Sequence, residues 1–180
     1  MSKKPSLELI CDSREQDSLI NEFKAGIFDF VSISGLPVAD YMIKLEDKEC
    51  PILFERKGLG DLFGTLTHGI KRFKRELEKA EEFNCQVVLL IEGTMRDIVD
   101  GYEHSSVEGQ QILRTVFTLF VKYGVIPVFC PDRRSMAKFI EEIATALQRN
   151  YSNPVPQTKH SVMPVGQQAP RSDAGAASEL

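Results

Sequence analysis

Apolar and polar residues alternate along the chain in two rhythms, one of period two and one near 3.6. Leu7-Glu8-Leu9-Ile10-Cys11 is short and apolar and predicts a strand, and Phe28 to Ile33 alternates as a half-buried strand does. Ser18 to Ala25 carries Leu19, Ile20 and Phe23 at helical spacing, with Gly26 as a C-terminal stop. Tyr41 to Leu45 and Pro51 to Arg56 predict paired strands joined by the charged turn Glu46-Asp47-Lys48-Glu49. Helices are expected over Gly60–Thr67 and Lys71–Phe83, then a continuous apolar strand over Gln86–Ile91, suited to a sheet interior. A helix over Ser106–Tyr123, a strand over Ile126–Cys130 and a helix over Arg134–Tyr151 complete the pattern. Mixed strands interleaved with helices predict an α/β fold, a mixed central sheet flanked by helices on both faces.

From about Ser152 the pattern stops. Pro154, Pro156, Pro164 and Pro170 stand among Ser, Gln and Ala, with no aromatic residue or isoleucine. Such a segment buries too little apolar surface to offset its ordering entropy. The expectation is one folded domain over residues 5–151 and a disordered Pro/Ser/Gln/Ala-rich tail over 152–180.

Composition then narrows the function classes. The 180 residues are 42% hydrophobic and 27% charged, enough for one core of ordinary size. No apolar run is long enough to span a bilayer, and no apolar stretch follows Met1 that would serve as a secretion signal. The four cysteines are scattered singly without a C-x-x-C pair, which disfavours zinc ribbons and redox sites and fits a reducing, intracellular setting in cytoplasm or nucleus. A net charge of −4 argues against coating nucleic acid by bulk positive charge, but not against a local basic patch beside a carboxylate site.

The candidate chemistry lies in Asp40-Tyr41 and Phe54-Glu55-Arg56-Lys57-Gly58-Leu59-Gly60-Asp61. Strand alternation puts Glu55 and Lys57 on one face and Arg56 on the other. In a hairpin, Asp40 falls beside Glu55 and Lys57, and Asp61 opens the next helix toward the same place. Carboxylates so gathered repel one another unless a cation neutralises them, and Mg²⁺ or Mn²⁺ suits an all-oxygen set. Such an ion activates water and polarises a phosphodiester, and a nearby lysine stabilises developing negative charge. Asp12-Ser13-Arg14-Glu15, at the end of the first strand, offers two more carboxylates and a phosphate-binding arginine. The same residues also read as a helix cap, with Asp12 or Ser13 as N-cap.

These residues together resemble the nuclease domain of the XPF family of structure-specific endonucleases, whose pattern is G-D-Y…E-R-K-x-x-x-D, over roughly residues 7–148. Glu92, after the apolar strand, fits that family's strand ending in an acidic residue, although an exposed strand-end carboxylate accounts for it as well. The resemblance implies a restriction-endonuclease-like core that cleaves branched, flapped or forked DNA with a divalent metal. Carried across, Asp12, Glu15, Asp40 and Glu55 become the metal set, and Lys57 the catalytic lysine, with Arg14, Arg56 and Asp61 in support. Two departures accompany it: Ala39 replaces the family's glycine, and no room remains for the tandem helix-hairpin-helix domain that family members commonly use to grip DNA.

Lys71-Arg72-Phe73-Lys74-Arg75 reads either as a solvated helix face with ion pairs to Glu76 and Glu78, or as a phosphate-contact patch led by Lys71 and Arg72. Gly58, Gly60 and Gly64 match no nucleotide loop and are expected to permit the strand-to-helix turn. His68, His104 and His160 share no ligand spacing. The helix over 106–123 is apolar beyond one face, through Phe117, Phe120 and Val121, so either the last helix or a second copy in a homodimer should cover it. Two other functional readings stand beside the junction endonuclease: a catalytically silent DNA-binding or scaffold subunit, and a nuclease without junction preference.

Overall fold

A computed structural model describes residues 4–46 and 48–151. The Asp47 turn position and the stretch 152–180 lie outside the described residues. Six strands, β1 (Leu7–Asp12), β2 (Phe30–Ser34), β3 (Tyr41–Leu45), β4 (Lys48–Lys57), β5 (Gln86–Glu92) and β6 (Ile126–Cys130), form one sheet in the order β2-β1-β3-β4-β5-β6. β3 runs antiparallel to both of its neighbours, and the other pairings are parallel. This is the mixed α/β sheet that the sequence predicts.

Helices cover both faces. On one face lie α1 (Leu59–Thr67), α2 (Ile70–Glu82), α3 (Met95–Asp100) and α4 (Gly109–Tyr123). They bury Leu62, Phe63, Phe73, Leu77, Ile98, Ile112 and Val116 against Met42, Leu53, Leu89 and Ile91 of the sheet. α5 (Arg133–Tyr151) covers the other face, where Met136, Ile140 and Ala144 meet Leu9, Tyr41, Ile43, Phe54 and Leu90. The alternating strand residues divide cleanly between these two cores, as the pleat requires. β5, buried on both faces, is therefore apolar throughout.

Several expectations are corrected. The helix expected over Ser18–Ala25 is one 3₁₀ turn, Ile20–Glu22. The Leu19 N–H donates to the Tyr41 hydroxyl at 2.7 Å and the Lys24 N–H to Glu141 at 2.5 Å, so long-range partners displace the helical ladder. A segment this short has little intrinsic helicity to resist them. β2 is an edge strand rather than a half-buried one: Phe30 and Ile33 are 65% and 68% exposed, and among the described residues no element covers them. α4 starts at Gly109, three residues later than expected, because Glu108 is still extended. Gly58 and Gly60 do not provide an unusual turn, since the Gly58 backbone is ordinary for an N-cap, with φ −67°. Gly60 instead makes room for Tyr102, whose hydroxyl would lie 2.7 Å from an added Cβ. The missed α3 carries a capping box, Thr94 with Asp97, a signature legible in the sequence.

Candidate active site at the end of the β3–β4 hairpin

Tyr41 pairs with Phe54 across the hairpin, and continuing that register brings Asp40 opposite Glu55. The backbone locks the arrangement. The Asp40 N–H donates to the Phe54 carbonyl at 3.0 Å, and the Arg56 N–H donates to Asp40 Oδ2 at 2.7 Å. Asp40 follows Ala39, which has φ +66°, in the left-handed region that glycine enters without penalty. A glycine would enter this conformation freely, and Ala39 adopts it with its methyl packed on the core.

Glu55 and Lys57 share the face covered by α1 and α2, and both are buried. Lys57 Nζ lies 2.8 Å from Glu55 Oε1 and 2.8 Å from Asp61 Oδ2, one turn into α1. Burial works against the Lys57 ammonium, but Glu55 and Asp61 outweigh it and hold it protonated above the ordinary lysine range. Burial, followed by the adjacent Glu55 carboxylate, pushes the Asp40 carboxyl up to about 8. Burial also raises Glu55, against the pull of Lys57. The hairpin thus holds two carboxyls whose ionised forms are only partly compensated, Glu55 by Lys57 and Asp40 by the Arg56 N–H.

Arg56 points to the opposite face, as alternation predicts. Its guanidinium lies 3.5 Å from Glu15, 2.9 Å from Asp17 and 3.2 Å from Glu92. Arg133, from the start of α5, joins the same group through Asp17 and the Ser18 carbonyl. Arg56 therefore ties the 13–18 loop to the ends of β4 and β5. Asp17 and Arg133 were not anticipated; Arg133 lies 116 residues from Asp17, and no local pattern announces the pair.

Asp12 faces neither Asp40 nor Glu55 with a spare oxygen. Its carboxylate accepts from the Arg14 side chain and backbone and from the Leu36 N–H. The Arg14 hydrogen bonds first of all hold it down to about 2. No helix follows, so the helix-cap reading of Asp12 and Ser13 does not hold; Asp12 instead closes a tight turn onto Arg14. Arg14, Glu15, Asp40, Lys57 and Asp61 line one open cleft of about 380 Å³. Lys71 and Arg72 are exposed on the first turn of α2, with Arg72 3.5 Å from Glu76.

The four expected metal carboxylates are not gathered into one cage. Among the described residues, no group of three or more His, Cys, Asp or Glu side chains is placed to hold a metal ion. Asp40 and Glu55 nevertheless fit a cation such as Mg²⁺, which keeps several waters and takes one or two carboxylates together with substrate phosphate. Burial raises the proton affinity of both, and the adjacent Glu55 adds to that of half-buried Asp40, a cost that a bound cation would offset.

Comparison with known proteins agrees with the sequence resemblance. Residues 11–143 match the ERCC4 domain. Two solved structures have the same fold. XPF from Aeropyrum pernix is 21% identical with a TM-score of 0.60, covering 81% of this chain and 67% of that one. XPF from Aeropyrum pernix in complex with DNA is 19% identical with a TM-score of 0.59, covering 79% and 65%. The chain thus spans about two thirds of the length of these structures. No curated protein matches. With the motif residues brought together at the hairpin and the domain match covering most of the folded part, the chain belongs to the ERCC4 domain family, that of the XPF nuclease domain.

Proposed function

We propose that the protein is a divalent-metal-dependent DNA endonuclease that hydrolyses phosphodiester bonds in branched, flapped or forked DNA. The observation that carries the reading is the hairpin site, where half-buried Asp40 lies in register with buried Glu55, beside a lysine already fixed by two carboxylates. Asp40 and Glu55 would hold Mg²⁺ or Mn²⁺, with Glu15 lining the same cleft as Asp40. A bound divalent ion supplies Lewis-acid polarisation of the phosphodiester and acidifies water.

The chain's own residues do the rest. An ammonium carries three N–H donors. Glu55 and Asp61 engage two of those of Lys57, which leaves one for the attacking water or a phosphoryl oxygen. Because Lys57 stays protonated, it acts as a fixed positive donor and not as a base. Arg56 acts through the 13–18 loop, holding Glu15 and Asp17 at the cleft rim. Arg14, Lys71 and Arg72 are the proposed phosphate contacts on the DNA backbone. The like-folded XPF from Aeropyrum pernix in complex with DNA supports DNA as the ligand class. A second copy, docked through α4, is the proposed partner.

Incubating the protein with labelled flap, fork, splayed-arm and plain duplex DNA, with Mg²⁺ or Mn²⁺ and with EDTA as control, tests the reading. Metal-dependent cuts near junctions are expected. Equal cutting of plain duplex would remove the junction preference, and binding without cutting would mark a silent DNA-binding module.

A further inference from the structure

Asp12, at the end of β1, is 2% exposed, and every acceptor position on its carboxylate is occupied. An ionised carboxylate offers about four lone-pair sites. Oδ1 accepts from the Arg14 backbone N–H at 2.7 Å and from Arg14 Nε at 2.8 Å. Oδ2 accepts from Arg14 Nη2 at 2.8 Å and from the Leu36 N–H at 2.6 Å. A cation would reach Asp12 only by displacing one of these donors from a buried site, at the cost of an unsatisfied group.

The guanidinium is held just as closely. Of its five N–H donors, Nε–H and one on Nη2 go to Asp12, and Nη2 also donates to the Leu36 carbonyl at 2.7 Å. The two donors of Nη1 have no protein partner among the described residues. The side chain is 72% exposed and lines the cleft that also holds Glu15, Asp40 and Lys57. An arginine with half of its fork pinned and the other half open loses little side-chain entropy when it meets a phosphate.

We propose that Asp12 is a positioning residue and not a metal ligand: it clamps Arg14 so that the free Nη1 edge of the guanidinium receives a phosphate oxygen of the DNA strand entering the cleft. The inference rests on the nuclease reading above and refines its binding half. The clamp joins the end of β1 to the 35–37 turn, two stretches that meet only in the folded sheet. The phosphate contact is therefore preorganised by the fold, and a bidentate Arg–carboxylate pair sets its direction as well as its charge.

Mn²⁺ titration and DNA-binding measurements in EDTA separate the two roles, since neither depends on cleavage. Asp12→Asn should keep Mn²⁺ affinity within about twofold of the parent, whereas Asp40→Asn should lose it. Arg14→Gln and Asp12→Asn should each weaken DNA binding by about tenfold and lower the salt slope by about one. The double variant should be no weaker than Arg14→Gln alone, because both changes remove one contact. Arg14→Lys leaves Asp12 in place and keeps the charge without the fork; its failure to restore parental affinity tests the clamp even if Asp12→Asn does not fold. Loss of Mn²⁺ affinity in Asp12→Asn, additive effects in the double variant, or full binding by Arg14→Lys would overturn the clamp while leaving the nuclease reading standing. A parent protein that neither binds nor cuts DNA would overturn both.

Discussion

Asp40 carries an electrostatic cost whose sign can be worked out. Burial and Glu55 raise its carboxyl from the ordinary 3.8 to about 8, so between those pH values the folded chain binds more protons than the unfolded chain. The contribution of Asp40 to the stability of the metal-free protein then falls as pH rises from about 4 to about 8, and is most favourable below the unfolded value. Asp40→Asn keeps an acceptor for the Arg56 N–H and removes the titration. It should stabilise the metal-free protein by about 2 kcal/mol at pH 8 and by little at pH 4, read by thermal melts at both, while abolishing cleavage. Lys57→Ala should reduce turnover by about 10²-fold or more, yet keep Mn²⁺ binding at pH 8, since a protonated lysine offers no ligand atom. A collapse of Mn²⁺ affinity in that variant would count against the assigned roles. Strand alternation already separated Glu55 and Lys57 from Arg56, because the pleat is a local rule. The saturation of Asp12 was not legible, because one of its donors belongs to Leu36 in a turn that reaches it only through the β1–β2 pairing.

At the scale of elements, the strands and the long helices were readable because each keeps its own period over several residues. The 3₁₀ turn at Ile20–Glu22 and the edge position of β2 were not, since both depend on what lies beside them. The same dependence appears at the α3–α4 junction. An added Cβ on Gly109 would lie 1.8 Å from the Ile98 carbonyl oxygen, a backbone atom with no freedom to retreat. Gly109→Ala should therefore push α4 off α3 and cost on the order of 3 kcal/mol, measured by urea unfolding. An unchanged midpoint would mean that the two helices can slide apart without loss. Ala39 shows the milder case, a non-glycine residue that accepts φ +66° because the Asp40 and Phe54 backbones fix the strand end around it.

Over the whole molecule, the sheet separates two cores, and α5 lies on the face away from α4. The final helix therefore does not cover the second side of α4, which corrects that expectation. Phe117, Phe120 and Val121 remain exposed, with Phe120 at 49%, and Leu113, Phe117 and Val121 form the apolar part of a groove along α4. Residues of this kind in one stripe favour the proposed homodimer. Light scattering at micromolar concentration should give twice the chain mass, and Phe120→Glu should return it to one chain with an unchanged melt. A monomeric parent would remove the dimer. Among the described residues no helix is long and apolar enough to cross a membrane.

The β2 edge bears on how such measurements are made. Among the described residues its outer backbone groups are unpaired, and Phe30, Val31 and Ile33 stand exposed beside them without a lysine or proline inside the strand to discourage pairing. A sheet ending this way can add strand to strand in an open series, whereas a two-fold contact through α4 stops at two. The mass of a concentrated sample can therefore creep upward with storage for reasons unrelated to the dimer. A charge at Ile33 is the protective change that the native sequence has left unmade.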